Sequence, residues 1–112
     1  MAGKFEITQS KNGKYMFNLK AGNGQIILTS QMYETQTNAT QGIESCRKNG
    51  VVDERFERAE STSGQPYFNL KATNGQVIGR SEMYSSVAAR DNGISSVKTN
   101  VSDAEVKDLT GA

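Results

Sequence analysis

Phe17-Asn18-Leu19-Lys20-Ala21-Gly22-Asn23-Gly24-Gln25 returns, 51 residues on, as Phe68-Asn69-Leu70-Lys71-Ala72-Thr73-Asn74-Gly75-Gln76. Phe17, Leu19 and Ala21 alternate with polar residues, as a half-buried strand does. Asn-Gly is the strongest short-range hairpin signal, and Gln25-Ile26-Ile27-Leu28-Thr29 reads as the returning strand. Outward from this segment the match continues without a gap. Phe5-Glu6 falls on Phe56-Glu57, Gly13 on Gly64, Met32-Tyr33 on Met83-Tyr84 and Gly42-Ile43 on Gly93-Ile94. Between residues 4–54 and 55–105, 21 of 51 aligned pairs are identical, so the chain is a tandem duplication.

Each copy reads as three antiparallel strands, a helix and a short last strand. Phe5-Glu6-Ile7-Thr8 alternates as a first strand, and Ser10-Lys11-Asn12-Gly13 and Ser61-Thr62-Ser63-Gly64 supply turns. Helices are predicted over 36–48 and 87–99, with Ala39, Ile43 and Cys46, and Val87, Ile94 and Val97, along their apolar sides. Thr35 or Thr37 and Ser85 or Ser86 suit the N-caps, Arg47, Lys48 and Lys98 the C-terminal dipole, and Asn49-Gly50 a stop. Gly42 and Gly93 cost about 1 kcal/mol each in mid-helix, and their recurrence points to a helix lying close on the sheet. The last strands are expected near Val52–Phe56 and Glu105–Leu109.

A type I′ turn at Asn23-Gly24 sets Ala21 opposite Ile26 and Leu19 opposite Leu28. Phe17, Leu19, Ala21, Ile26 and Leu28 then face the helix, as do Phe68, Leu70, Ala72 and Val77. The other face carries Met16, Asn18, Lys20, Ile27 and Thr29, with Tyr67, Asn69, Lys71, Ile78 and Arg80. A unit of about 50 residues is only marginally stable alone, and the Asn49–Arg55 junction lacks the Gly/Ser/Pro content of a flexible linker. The expectation is one α+β domain over 1–112. Its two tandem β-β-β-α-β repeats (about 4–54 and 55–109) share one antiparallel sheet about a pseudo-two-fold, with helices on one face.

Composition narrows the function. Thirteen Lys and Arg against twelve Asp and Glu leave a net charge of +1, without the basic excess of a dedicated DNA-coating protein. There is no histidine and a single cysteine, which removes histidine-based acid–base chemistry, most zinc sites and any internal disulfide. The first residues lack the apolar run of a signal peptide and no stretch approaches membrane-spanning length, so a cytoplasmic protein without membrane contact is expected.

The segment Phe68–Ser86, followed by Ala89-Arg90-Asp91-Asn92-Gly93-Ile94 and Ser96-Val97-Lys98, resembles the YegP-like family of small bacterial proteins of unknown function. The resemblance covers essentially the whole chain twice, with repeat 1 the more divergent copy. It implies that the last strands are exchanged between repeats, and brings no activity, cofactor or catalytic residue.

No motif stands out as catalytic or metal-binding. Cys46 lacks an activating histidine and has Val97 as its repeat mate, the pattern of a core residue. Arg90 and Asp91 face Ala39 and Thr40 in repeat 1 and read as exposed helical charges. The acidic set Asp103, Glu105 and Asp108 lacks calcium-loop spacing. Gly22-Asn23-Gly24 joins two strands and is a hairpin turn, not a phosphate loop. Met32, Tyr33, Met83 and Tyr84 read as staples of the pre-helix loop. The one candidate surface is the open sheet face, with Asn18, Lys20, Tyr67, Asn69, Lys71 and Arg80. The expected function is a non-enzymatic, monomeric interaction module with an unidentified protein partner. Weak binding of single-stranded nucleic acid by the open face is the alternative, and an enzyme ranks third.

Overall fold

The computed structural model describes residues 3–102 and 104–110. These form β1 (Lys4–Gln9), β2 (Tyr15–Lys20), β3 (Ile26–Ser30), α1 (Gln36–Asn49), a 3-10 turn (Asp53–Arg55), β4 (Phe56–Glu60), β5 (Pro66–Lys71), β6 (Val77–Arg80), α2 (Val87–Asn100) and β7 (Glu105–Asp108). The seven strands make one sheet in the order β4-β5-β6-β3-β2-β1-β7. β3 and β6 meet antiparallel at its centre, with Thr29 opposite Arg80. These two are repeat mates, so the pseudo-two-fold passes between them.

All four hairpins use the same turn. Gly13, Gly24, Gly64 and Gly75 have φ of 84–86°, and no other described residue has positive φ. In the β2–β3 hairpin the Gly24 N–H donates to Ala21 O, the Ala21 N–H donates to Gln25 O (both 2.9 Å), and Asn23 Oδ1 accepts from the Gln25 N–H at 3.0 Å. This is a three-residue loop with one left-handed glycine, and it replaces the expected type I′ turn. Lys20 therefore faces Ile26, a bulge follows, and Leu19 still faces Leu28. The same shift recurs between Leu70 and Lys71. Ile27 and Ile78, expected on the open face, are buried members of the core, because the extra residue of the bulge redirects them.

The core lies between the sheet and both helices and includes Phe5, Phe17, Leu19, Leu28, Ile43, Cys46, Phe68, Leu70, Ile94 and Val97. Thr35 and Ser86, themselves repeat mates, cap the helices by accepting from the N–H of Asn38 and Ala89. Val87, the first residue of α2, is 52% exposed and does not join the apolar side. Gly42 and Gly93 are required by Tyr33 and Tyr84, since a Cβ at either position would collide with the tyrosine hydroxyl. Each tyrosine stacks on the phenylalanine of its own repeat, Phe17 or Phe68. Met32 and Met83, expected to help staple this loop, are exposed.

The chain crosses between repeats at the helix ends. β7, from repeat 2, lies parallel to β1 of repeat 1, so the sheet is mixed rather than wholly antiparallel. Arg47 of α1 holds this crossing, donating to the carbonyls of Val101, Ser102 and Ala104 at 2.8–3.2 Å. Its repeat mate Lys98 grips Asp53 Oδ1 at 2.7 Å. No separate strand forms at Val52–Phe56; the chain makes the 3-10 turn there and runs straight into β4. The reason is connectivity. The segment that would lie beside β4 is the start of β4 itself, so the exchange is one-sided and β4 remains an edge.

At two of the places where the axis brings mates together, one member is a glycine. Leu28 and Gly79 are mates, and a Cβ on Gly79 would stand 2.9 Å from Leu28 Cγ. Gly50 and Val101 are mates, and a Cβ on Gly50 would stand 3.1 Å from both Val101 methyls and 2.6 Å from the Cys46 carbonyl oxygen of its own repeat. Gly50 has an ordinary right-handed φ of −70°, so it is there for space and not as a left-handed stop. Gly79→Ala is expected to destabilise by about 1–3 kcal/mol through overpacking. Combined with Leu28→Ala it should cost less than the sum of the single changes by at least about 0.5 kcal/mol. Urea unfolding of the double-mutant cycle measures this, and strict additivity would contradict the contact.

Candidate functional site

The face of the sheet away from the helices carries an unbroken polar row. Strand register aligns Glu57, Asn69, Arg80, Thr29, Asn18, Glu6 and Lys107 across all seven strands. Adjacent side chains bond along it. Asn69 Nδ2 donates to Glu57 Oε1 at 2.9 Å, Arg80 Nε donates to Asn69 Oδ1 at 3.3 Å, and Thr29 Oγ1 donates to Asn18 Oδ1 at 2.9 Å. Asn69 is only 5% exposed, yet both ends of its amide are satisfied, as a buried carboxamide requires. The Arg80 guanidinium also lies over the Tyr67 ring, 5.4 Å from its centroid.

The structure thus brings Asn18, Lys20, Tyr67, Asn69, Lys71 and Arg80 onto one face, but both lysines are already paired with carboxylates. Lys20 Nζ is 2.8 Å from Glu6 and Lys71 Nζ is 2.9 Å from Glu57. Hydrogen bonds from these lysines hold both carboxyls below their usual range. A phosphate arriving here has to displace a carboxylate from each lysine.

At the open edge, Arg58 of β4 takes the place that buried Ile7 fills in β1. It pairs with Asp53 at 3.2 Å and with Asp91 of α2 at 3.7 Å. Asp91 also meets Arg90, whose side chain is 12% exposed and so is largely covered rather than the exposed charge expected. Asp53 is held low by hydrogen bonds from Lys98 and Arg58.

The remaining candidates settle as follows. Cys46 is fully buried, and burial pushes its thiol well above the ordinary value, the reverse of an activated nucleophile. Glu105 and Asp108 belong to β7, Asp108 accepts from Gln36 of α1, and Asp103 lies outside the described residues. Among the described residues no three His, Cys, Asp or Glu side chains converge as a metal site, and no helix is long and apolar enough to cross a membrane. Sequence reasoning missed the paired roles of Ser30 and Ser81, whose hydroxyls accept from the N–H of Phe17 and Phe68. It also missed Asn49 and Asn100, whose amides close the helix ends on Ser45 O and Ser96 O. Their recurrence at matched repeat positions was the available signal.

Both repeats match one family model, described as a domain of unknown function (DUF1508), over residues 10–57 and 61–108. The chain belongs to this family. A UPF0339 protein of Acinetobacter baylyi is 55% identical over 111 residues, spanning 99% of this chain and all of that protein. The UPF0339 protein YegP of Escherichia coli K12 is 48% identical over 110 residues, covering 98% of this chain and 100% of YegP. The solution NMR structure of E. coli YegP, a protein of unknown function, superposes with a TM-score of 0.94, covering 100% of this chain and 97% of that one. The resemblance read from the sequence therefore holds, and the two repeats match the family separately. These names carry no activity, and the family is uncharacterised.

The ionisable groups predict a pH profile. Without histidine, folding stability should be flat between about pH 6 and 8. Glu6, Glu57 and Asp53 have lowered pKa values, so their contribution is present above the unfolded carboxyl values of about 4 and is lost as pH falls through the folded ones. Cys46 has a raised value, so stability declines once pH passes the unfolded thiol value of about 8.5. Raised Tyr33 and Tyr84 add to the loss above about pH 10. Cys46→Val, the residue of the second repeat, should flatten the decline between about pH 8.5 and 10 in urea titrations. An unchanged decline there would contradict the assignment.

Proposed function

We propose that the chain is a non-enzymatic interaction module of the cytoplasm, acting as a monomer, that presents its open sheet face to a polar protein surface. The observation that carries this reading is the side-chain row from Glu57 to Lys107, largely bonded before any partner arrives. A surface whose rotamers are already held loses little side-chain entropy on contact, and its alternating charges favour a complementary protein surface. The non-enzymatic part is supported by Cys46, buried with its thiol kept protonated. Single-stranded nucleic acid is the weaker use of the same face. Tyr67 and Arg80 offer one stacking platform, but Lys20 and Lys71 already face carboxylates.

Photo-cross-linking residues introduced in cells at Lys71 and Arg80 test the reading. The same protein should be captured from both positions, and not from exposed Ser95 on α2. Capture from Ser95 alone, or from none of the three, contradicts it. Labelled single-stranded oligonucleotides are expected to show no saturable anisotropy change at about 0.15 M salt. Saturation that disappears in Lys20→Ala/Lys71→Ala would transfer the face to nucleic acid.

A further inference from the structure

A second surface lies on the helix side of the sheet. Between α1 and the β5–β6 hairpin, two adjoining depressions share Gln41, Ser45 and Ala72 and form one continuous groove. One end is walled by Tyr33, Asn38 and Gln76, and the other by Lys48, Val52 and Arg55.

The basic end is the informative one. Arg55 is half-buried, and its Nε–H is fully shielded with no hydrogen-bond partner among the described residues. The shielded Nε–H fixes the guanidinium in place, no hydrogen bond engages its Nη groups among the described residues, and a carboxylate seated bidentately suits such a free guanidinium end. Lys48 is exposed on the same wall and forms no ion pair among the described residues. The acid on this wall, Glu44, is paired with Arg47 at 3.5 Å, and Arg47 is turned to the carbonyls of Val101, Ser102 and Ala104. The carbonyl end of α1 is also occupied, since Cys46 O accepts from the Gly50 N–H and Ser45 O accepts from Asn49. The α1 C-terminus still disfavours an anion, and the two cations have to outweigh it.

Repeat comparison shows that the Lys48 charge is not needed to form the helix. The mate of Lys48 is Thr99, and repeat 2 builds the same helix with it, whereas Arg55 opens repeat 2 and its mate Lys4 is also a cation. Along its length the groove offers the carboxamides of Asn38, Gln41 and Gln76, each both donor and acceptor, as an extended backbone needs.

We propose that the groove between α1 and the β5–β6 hairpin binds an acidic peptide in extended form, with a carboxylate seated on Arg55 and Lys48. The proposal rests on the reading of the chain as an interaction module but not on its sheet face. The probe is acetylated, amidated tetraglutamate titrated into the full-length ¹⁵N-labelled protein. Saturable shifts are expected at the Arg55 Nε–H signal and at the amides of Gln41, Ser45 and Thr73. Arg55→Val, and Lys48→Thr, which installs the residue of the second repeat, should each weaken binding about tenfold, the size of one charged hydrogen bond. Lys71→Ala and Arg80→Ala should leave it unchanged. Non-saturating shifts, shifts confined to the sheet face, or binding indifferent to Arg55→Val would overturn the proposal. So would tetraglutamine or inorganic phosphate reproducing the full set of shifts. Unfolding curves of each variant confirm that the fold is retained.

Discussion

Residues beside a two-fold axis meet their own mates, and two bulky mates cannot occupy one place. In this chain Leu28 meets Gly79 and Val101 meets Gly50, so at each contact one repeat supplies the volume and the other the space. Thr29 and Arg80, also mates, face each other across β3 and β6 and carry the polar row through the centre. Two identical chains could not divide the roles in this way. Duplication within one chain permits it, and the β3–β6 pairing that unites the sheet depends on it.

The same covalent connection makes the two edges unequal. β1 is covered by β7, pinned through Arg47 at its start and through Gln36 and Asp108 near its end. β4 has no such cover because the chain between α1 and β4 is too short to supply a strand. Arg58 stands where β1 has Ile7, and its pairs with Asp53 and Asp91 place charge at the exposed edge. Charged residues on an edge strand oppose uncontrolled pairing with another chain. Burial accordingly differs at this position, with Ile7 in the core and Arg58 in solvent.

Much of this architecture was legible in the residues because duplication writes each signal twice. Phe17-Asn18-Leu19 and Phe68-Asn69-Leu70 located the strands, and Gly42 and Gly93 located a close approach. The details that failed are those that alternation does not encode. An Asn-Gly pair is compatible with a two- or a three-residue loop, and the longer loop displaced Ile27 and Ile78 into the core through a bulge. The 3-10 turn at Asp53–Arg55 follows from chain length between repeats, which no periodicity reports. On the candidate face, strand alternation placed Lys20, Lys71 and Arg80 together and put Glu6 and Glu57 on the same side. Their pairing depends on cross-strand register, which is three-dimensional information. The groove cations Lys48 and Arg55 looked like ordinary helix-end and junction charges until tertiary packing shielded the Arg55 Nε–H.

The two surfaces thus have opposite electrostatic character. The sheet face pairs Lys20 with Glu6 and Lys71 with Glu57, while the α1 groove leaves Arg55 and Lys48 without an ion pair among the described residues. Both are held in place by the union of the repeats across β3 and β6, and that union is the central claim. Native-state amide hydrogen exchange under increasing denaturant tests it most directly. The slowest amides of β2 and β3 should exchange with the same free energy and denaturant dependence as those of β5 and β6, as one cooperative unit does. Two distinct isotherms, one for each repeat, would show that the halves unfold separately and would contradict the account.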